Sequence, residues 1–224
     1  MTDANPDIFS LIDQGDLERI QKIPKDADCF YTQKNDFSPL NYALWKQKYQ
    51  IAKYFVDHEI NLHSVAGGMG NALSIAALYE QDDLVKQLVD KGVDPNVLDS
   101  SGFNALLCAI SEVIQLDTIR CLLDAGARTD VFDYSRGVSP LMVAIECERL
   151  DILELLLQHG ADPNYRDDEN GDSALIWALT EPNALAAVKL LLKYGASKTL
   201  CDFSGRAAFQ YTKQGSELFE LLKP

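Results

Sequence analysis

Positive charge is scarce in this chain of 224 residues: 20 Lys and Arg stand against 34 Asp and Glu, a formal net charge of -14. That balance excludes a nucleic-acid binder, which needs a basic footprint to displace counterions from phosphates. An acidic surface serves solubility or a basic protein partner instead. Also lacking is any run near the ~20 apolar residues that cross a bilayer, so no membrane partner is expected. Met1-Thr2-Asp3-Ala4-Asn5-Pro6-Asp7 has neither the basic start nor the apolar stretch of a leader. The cysteines Cys29, Cys108, Cys121, Cys147 and Cys201 are odd in number and show no Cys-x-x-Cys spacing. They read as free thiols of a reducing compartment, with Cys108 and Cys121 as small buried hydrophobes, and a cytoplasmic location follows as an expectation.

Groups that could do chemistry are equally sparse. Of three histidines, His58 and His159 fall just before the positions that end helices, where a favourable interaction with a helix C-terminus explains them. Gly67-Gly68-Met69-Gly70 follows no expected strand and lacks the Lys-Ser/Thr of a phosphate loop. The acid groups Asp82-Asp83, Glu146 with Glu148, and Asp167-Asp168-Glu169 fall at turns or exposed helix faces and read as solvated. Acid-base work needs a carboxyl held in an apolar pocket. No Ser/His/Asp or Cys/His set can be assembled, so no catalytic residue, metal site or cofactor is assigned, and the chain is read as not an enzyme.

What the chain does have is a phrase that returns: Ser38-Pro39-Leu40-Asn41-Tyr42-Ala43, Asn71-Ala72-Leu73-Ser74-Ile75-Ala76, Asn104-Ala105-Leu106-Leu107-Cys108-Ala109, Ser139-Pro140-Leu141-Met142-Val143-Ala144 and Ser173-Ala174-Leu175-Ile176-Trp177-Ala178. The leucines step by 33, 33, 35 and 34 residues. A period of that size marks stacked supersecondary units, each burying its apolar face on its neighbours. The Ser and Asn that open each phrase are N-caps, and Pro39 and Pro140 sit at first helical positions, where a missing N–H costs nothing. The alanines let neighbouring helices approach. A second helix follows, with apolar residues at helical spacing such as Leu84, Val85, Leu88 and Val89. Gly92, Gly126, Gly160 and Gly195 mark its end, where positive φ is free of Cβ strain.

The second phrase, as in Leu156-Leu157-Gln158-His159-Gly160-Ala161-Asp162-Pro163-Asn164, completes a pattern that resembles the ankyrin repeat. Five units match over residues 33–202, with degenerate capping units at 1–32 and 203–224. The resemblance implies one all-α domain over 1–224, a solenoid of stacked helix-turn-helix units joined by finger-like turns. Glu59 replaces the terminal glycine of the first unit, which is expected to cost roughly 1 kcal/mol and make that unit less regular. Asp82 falls where the family has an apolar residue and leaves its turn open. Extra residues fall near Val113 to Leu116, near Asp133 and Tyr134, in Asp167-Asp168-Glu169, and at Pro182, turns where insertion is cheap.

The resemblance also implies a protein-binding face built from fingers and inner helices. Counting from the register, finger positions three and five before each Leu and helix positions five and six after it place Phe37, Trp45, Tyr79 and Phe103 there. The same count places Glu112, Glu146, Asp172 and Glu181 toward the C-terminal end. Aromatic anchors beside charges have the makeup of an interface. A plainer reading packs Phe37 and Trp45 against the irregular segment from Ile23 to Gln33. The functional expectation is a protein-protein interaction module, adaptor or regulator, monomeric when unbound, whose partner carries a basic segment. The alternatives are a dedicated inhibitor or immunity protein that neutralises a toxin enzyme, or a secreted bacterial effector.

Overall fold

A computed structural model describes residues 7–112 and 114–224. The segment read for a leader, up to Pro6, and Val113 of the expected inserted turn lie outside the described residues. The chain forms two compact units, one running to Ala127 and one from Arg128 to Pro224.

The first unit opens with a capping helix pair, α1 (Ile8–Gln14) and α2 (Leu17–Gln21), each started by an aspartate that accepts a backbone N–H. Three helix pairs follow: α3 (Pro39–Trp45) with α4 (Tyr49–Asp57), α5 (Ala72–Leu78) with α6 (Asp82–Asp90), and α7 (Ala105–Ser111) with α8 (Leu116–Asp124). A two-residue hairpin, β1 (Val65–Ala66) and β2 (Gly70–Asn71), forms the finger before α5. The inner helices α1, α3, α5 and α7 pack in succession, and the outer helices α4, α6 and α8 form a second row. The repeated leucines and alanines make the core: Leu40, Ala43, Leu73, Ala76, Leu106 and Ala109 are fully buried. At roughly 25 cal/mol per Å2 of apolar surface, such burial is the main favourable term.

The second unit repeats the plan with α9 (Pro140–Glu146), α10 (Leu150–Gln158), α11 (Ala174–Ala178) and α12 (Ala184–Lys193). A 3-10 turn (Ala208–Tyr211) and α13 (Glu217–Leu222) close it. α9 packs on α11 and α10 on α12.

Four of the five expected caps form: Ser38, Asn71, Asn104 and Ser139 each accept an N–H of the helix they open. Ser173 is the exception, for its buried Oγ makes no bond, although α11 still begins directly after it. The terminal glycines take φ from 74° to 90° as the pattern requires. Glu59 adopts the same left-handed conformation, φ 57°. The unit is not irregular in consequence: Ile60 N–H reaches Phe55 O at 2.9 Å, the same closing bond that Val93 makes to Leu88. The strain is local to Glu59 and leaves the ladder intact. Asp82 is also accommodated. It sits in the first turn of α6, where a carboxylate suits the helix dipole, and accepts a bond from the buried hydroxyl of Thr118 on α8.

Candidate functional site

In the first unit the inner-helix ends carry an aromatic cluster. Phe37, at the foot of its finger, is only 9% exposed and stacks on Trp45 with ring centroids 5.1 Å apart and planes at 24°. Trp45, the last residue of α3, keeps 36% of its surface in solvent. Lys46 places its ammonium 4.2 Å from the indole centroid, a cation–π contact. Tyr42 lies edge-on between this pair and Phe9 of α1. Its hydroxyl donates to Asp13 at 2.9 Å and receives Lys34 at 3.4 Å. Burial, followed by the bond to Asp13, pushes the Tyr42 phenol above its ordinary range. The irregular segment takes a different course: Phe30 packs on Phe55 of α4, and the Asn61 amide donates to the Phe30 carbonyl. Phe37 and Trp45 thus find their ring partners in each other and in Tyr42.

One repeat along, Leu78 stands at the position equivalent to Trp45 and is equally exposed, at 36%. Tyr79, half-buried, follows at the end of α5. Phe103 is half-buried at the foot of the next finger, held by its N–H to Asp99 Oδ1 at 2.9 Å and its carbonyl to Asp99 N–H at 2.8 Å. Glu112 is half-buried just past α7, on extended backbone. The first unit therefore holds Phe37, Trp45, Tyr79, Phe103 and Glu112 on successive inner helices and fingers.

The second unit holds the other three acids. Glu146 ends α9 and meets Arg136 Nη1 at 3.3 Å, and Arg136 reaches Asp133 Oδ2 at 3.4 Å as well. Finger and helix end are tied by this bridge, and the Glu146 charge is matched. Asp172 is half-buried with its Oδ1 lacking a partner. Burial raises its pKa, and the carboxylates of Asp167 and Asp202 raise it further. Glu181 is half-buried and accepts the Thr180 hydroxyl at 3.2 Å.

The sequence reading missed the carboxylates that build the fingers. Asp167 is not solvated: it is 2% exposed, and its two oxygens accept N–H groups from Glu169, Asn170, Gly171 and Asp172 and the indole Nε1–H of Trp177 at 2.8 Å. Asp99, Asp133 and Asp202 fold their fingers the same way, accepting N–H groups of residues two to four further on. The signal was present as an aspartate recurring seven or eight residues before Leu106, Leu141 and Leu175. The glycine run forms the hairpin finger, and Ser100 of the next finger fills its reach, donating its N–H and Oγ–H to Gly68 O at 3.1 and 3.0 Å. His58 and His159 each donate Nδ1–H to the carbonyl four residues back, at 2.8 and 2.9 Å, as their helix-end positions suggested. Burial pushes the Cys108 thiol up to about 12, which makes it inert. No helix among the described residues is long and apolar enough to cross a membrane.

A family model described as ankyrin repeats (3 copies) matches residues 73–167 and 135–202. Among solved structures, the chain is similar to the ankyrin repeat domain of Bcl-3, described as a unique member of the IkappaB protein family, with a TM-score of 0.77 and 23% identity over 98% of this chain and 99% of that one. It is similar also to EF0377, an ankyrin repeat protein, with a TM-score of 0.72 and 24% identity over 85% of this chain and 98% of that one. At these identities the likeness is one of fold. No curated protein matches the sequence.

Proposed function

Because this chain belongs to the ankyrin repeat family, whose repeats mediate protein-protein interaction, we propose that it is a non-enzymatic binding module, an adaptor or regulator that holds a protein partner on the ends of its inner helices and fingers. The observation that carries this reading is the pair Trp45 and Leu78, large apolar side chains exposed at equivalent places on the neighbouring helices α3 and α5. Clustered apolar exposure of that kind marks interaction sites. Tyr79 and Phe103 extend it along the same register, and Phe37 supports the indole from beneath. Glu112, Asp172 and Glu181 favour a partner with basic segments, while Glu146 contributes less because Arg136 already engages it.

Truncation tests the anchors: Trp45→Ala or Tyr79→Ala should each cost about 2 kcal/mol of affinity for a partner recovered by affinity purification. Neutralising Asp172 and Glu181 together should chiefly slow association and flatten its salt dependence. A partner that binds all of these variants as tightly as the parent protein removes this surface from the reading. The net charge of -14 also supports the narrower role of an inhibitor that covers a basic enzyme. One tight, stoichiometric enzyme partner whose turnover stops on mixing distinguishes that role from scaffolding. A cytoplasmic monomer completes the proposal, with the unpaired thiols of Cys29, Cys108, Cys121 and Cys201 as support for a reducing compartment.

A further inference from the structure

In the second unit, the finger bridged at Arg166 and Ser173 lies beside the one bridged at Cys201 and Ala207, and the Phe203 N–H donates to the Asn170 carbonyl at 2.8 Å. Between them opens a cavity of about 310 Å3. Phe203 and Tyr211 line it and keep 64% and 40% of their surfaces in solvent. Neither ring is loose. Phe203 lies over Gly171, where an added Cβ would come 2.6 Å from the ring, and the Tyr211 hydroxyl donates to Asp202. An exposed aromatic fixed by its neighbours is pre-organised for a contact, since it has little freedom left to lose on binding.

Three carboxylates line the same cavity, Glu169, Asp172 and Asp202, against one cation, Arg206. Asp202 is used within its own finger: Oδ1 accepts the Ser204 and Arg206 N–H groups, and Oδ2 accepts the Tyr211 hydroxyl and lies 3.4 Å from the Arg206 guanidinium. Arg206 is thereby neutralised, and it also lies 4.5 Å from the Tyr211 centroid. Glu169 and Asp172 differ. The Glu169 carboxylate is exposed and that of Asp172 half-buried, and neither meets a donor among the described residues. Burial raises the Asp172 pKa, Asp167 and Asp202 raise it further, and Arg206 offsets them only in part. A carboxylate held half-buried among other carboxylates weakens the fold at neutral pH, and a residue kept against such a penalty is expected where it serves binding.

We infer that this cavity takes a lysine side chain from a basic segment of a partner protein, its ammonium meeting Glu169 and Asp172 and its methylene stem lying against Phe203. The inference rests on the reading of Asp172 as part of the partner-binding surface and gives that part of the surface its ligand chemistry. Lysine fits better than arginine. Asp172 Oδ1 is buried, so this carboxylate has one oxygen to offer; an ammonium is a point charge that single oxygens of two residues can hold, whereas a guanidinium fork calls for a parallel pair. A bare metal ion fits less well, because no three acids, histidines or cysteines among the described residues converge to hold one.

The test titrates the whole isotope-labelled protein with a capped pentapeptide, one central lysine flanked by alanines, and follows the amide resonances. Saturable shifts should appear at Gly171, Phe203 and Ser204. The double variant Glu169→Gln/Asp172→Asn should raise Kd about tenfold, while the control Glu18→Gln/Asp26→Asn, with the same change in net charge, should stay within about twofold of the parent. Phe203→Leu should raise Kd about threefold. The peptide with its lysine acetylated should not bind, and the arginine peptide should bind about threefold more weakly. The double variant should melt no lower than the parent at neutral pH, so that its loss is not one of folding. Absence of saturable shifts, shifts confined to other residues, or equal losses in the two double variants would overturn the inference. So would binding of the acetylated peptide, an arginine peptide as tight as the lysine one, or a double variant that melts lower. Trp45→Ala separates this inference from the reading it rests on, since it should weaken a recovered partner and leave the lysine titration unchanged. A partner weakened by Trp45→Ala and not by Glu169→Gln/Asp172→Asn keeps the inner-helix face and removes the cavity, whereas the converse keeps the cavity and removes the wider face.

Discussion

Replacing Asp167 by alanine removes one carboxylate and strands five donors. Two of them, the N–H groups of Glu169 and Asn170, belong to exposed residues, so water can replace the lost acceptor. The Gly171 N–H lies on a buried residue and the Trp177 Nε1–H on a half-buried one, and these carry most of the penalty. An interior donor left without an acceptor costs roughly 1–3 kcal/mol. Two such donors, with the Asp172 N–H partly recovered by solvent, place the loss at about 3 kcal/mol. For a chain of this size that is a fall of roughly 6–12 °C in Tm. Calorimetry reads the loss in the unit that begins at Arg128. Trp177 emission reads the finger itself once Trp45→Phe has silenced the other of the two tryptophans. Asp167→Asn keeps an acceptor for one set of donors and turns an amide toward the other, so it should lose about half as much. The exposed neighbour Asp168→Ala should stay within ~0.5 kcal/mol of the parent. If Asp167→Ala melts with the parent protein and the Trp177 spectrum does not move, the carboxylate does not organise the finger and the argument is refuted.

Gly137→Ala should destabilise by more than ~2 kcal/mol, because φ is 66° and an added Cβ would lie 2.6 Å from the Asp168 backbone N. Gly92→Ala, with φ 74° and open space around it, should cost only about 1 kcal/mol, so equal losses in urea titrations would refute the steric argument. Glu59→Gly relieves left-handed strain and loses an exposed bridge to Lys91, for an expected net gain of about 0.5 kcal/mol by thermal unfolding. The pKa of Asp172 is raised in the fold, so its proton is bound more tightly there than in the unfolded chain. Its stabilising contribution is full below the ordinary carboxylate pKa and is lost as pH rises through the raised value. Asp172→Asn should therefore be more stable than the parent at neutral pH, with the difference shrinking toward pH ~4, as melting curves across that window would show.

Much of the fold was legible because its signals are local. A cap needs a short polar side chain and the N–H two or three residues on, and Ser38 and Asn104 declared themselves at that range. A helix stop needs a residue that tolerates positive φ, and the terminal glycines stood at every expected place but one. The candidate site was legible only as a register. The count put Phe37 and Trp45 on one face, but it could not say that one would lie under the other. It placed Glu146 on that face as a charge for a partner, whereas the fold brings Arg136 to 3.3 Å from it.

The order of residues by itself determined the repeat period, the helices, their caps and stops, and the leucine and alanine core, since each depends on residues within a turn or on a spacing that recurs. Tertiary structure decided which of two chemically identical neighbours is buried: Asp167 collects the donors of its finger and Asp168 faces solvent. It also decided that the ends of α6 and α8 border a common groove with carboxylates along its edge. The first outcome depends on which carboxylate the finger turns toward its own N–H groups and toward Trp177, and the second on what the next repeat places against a helix end. Packing between units about 34 residues apart sets that environment, and no property of the side chain alone contains it.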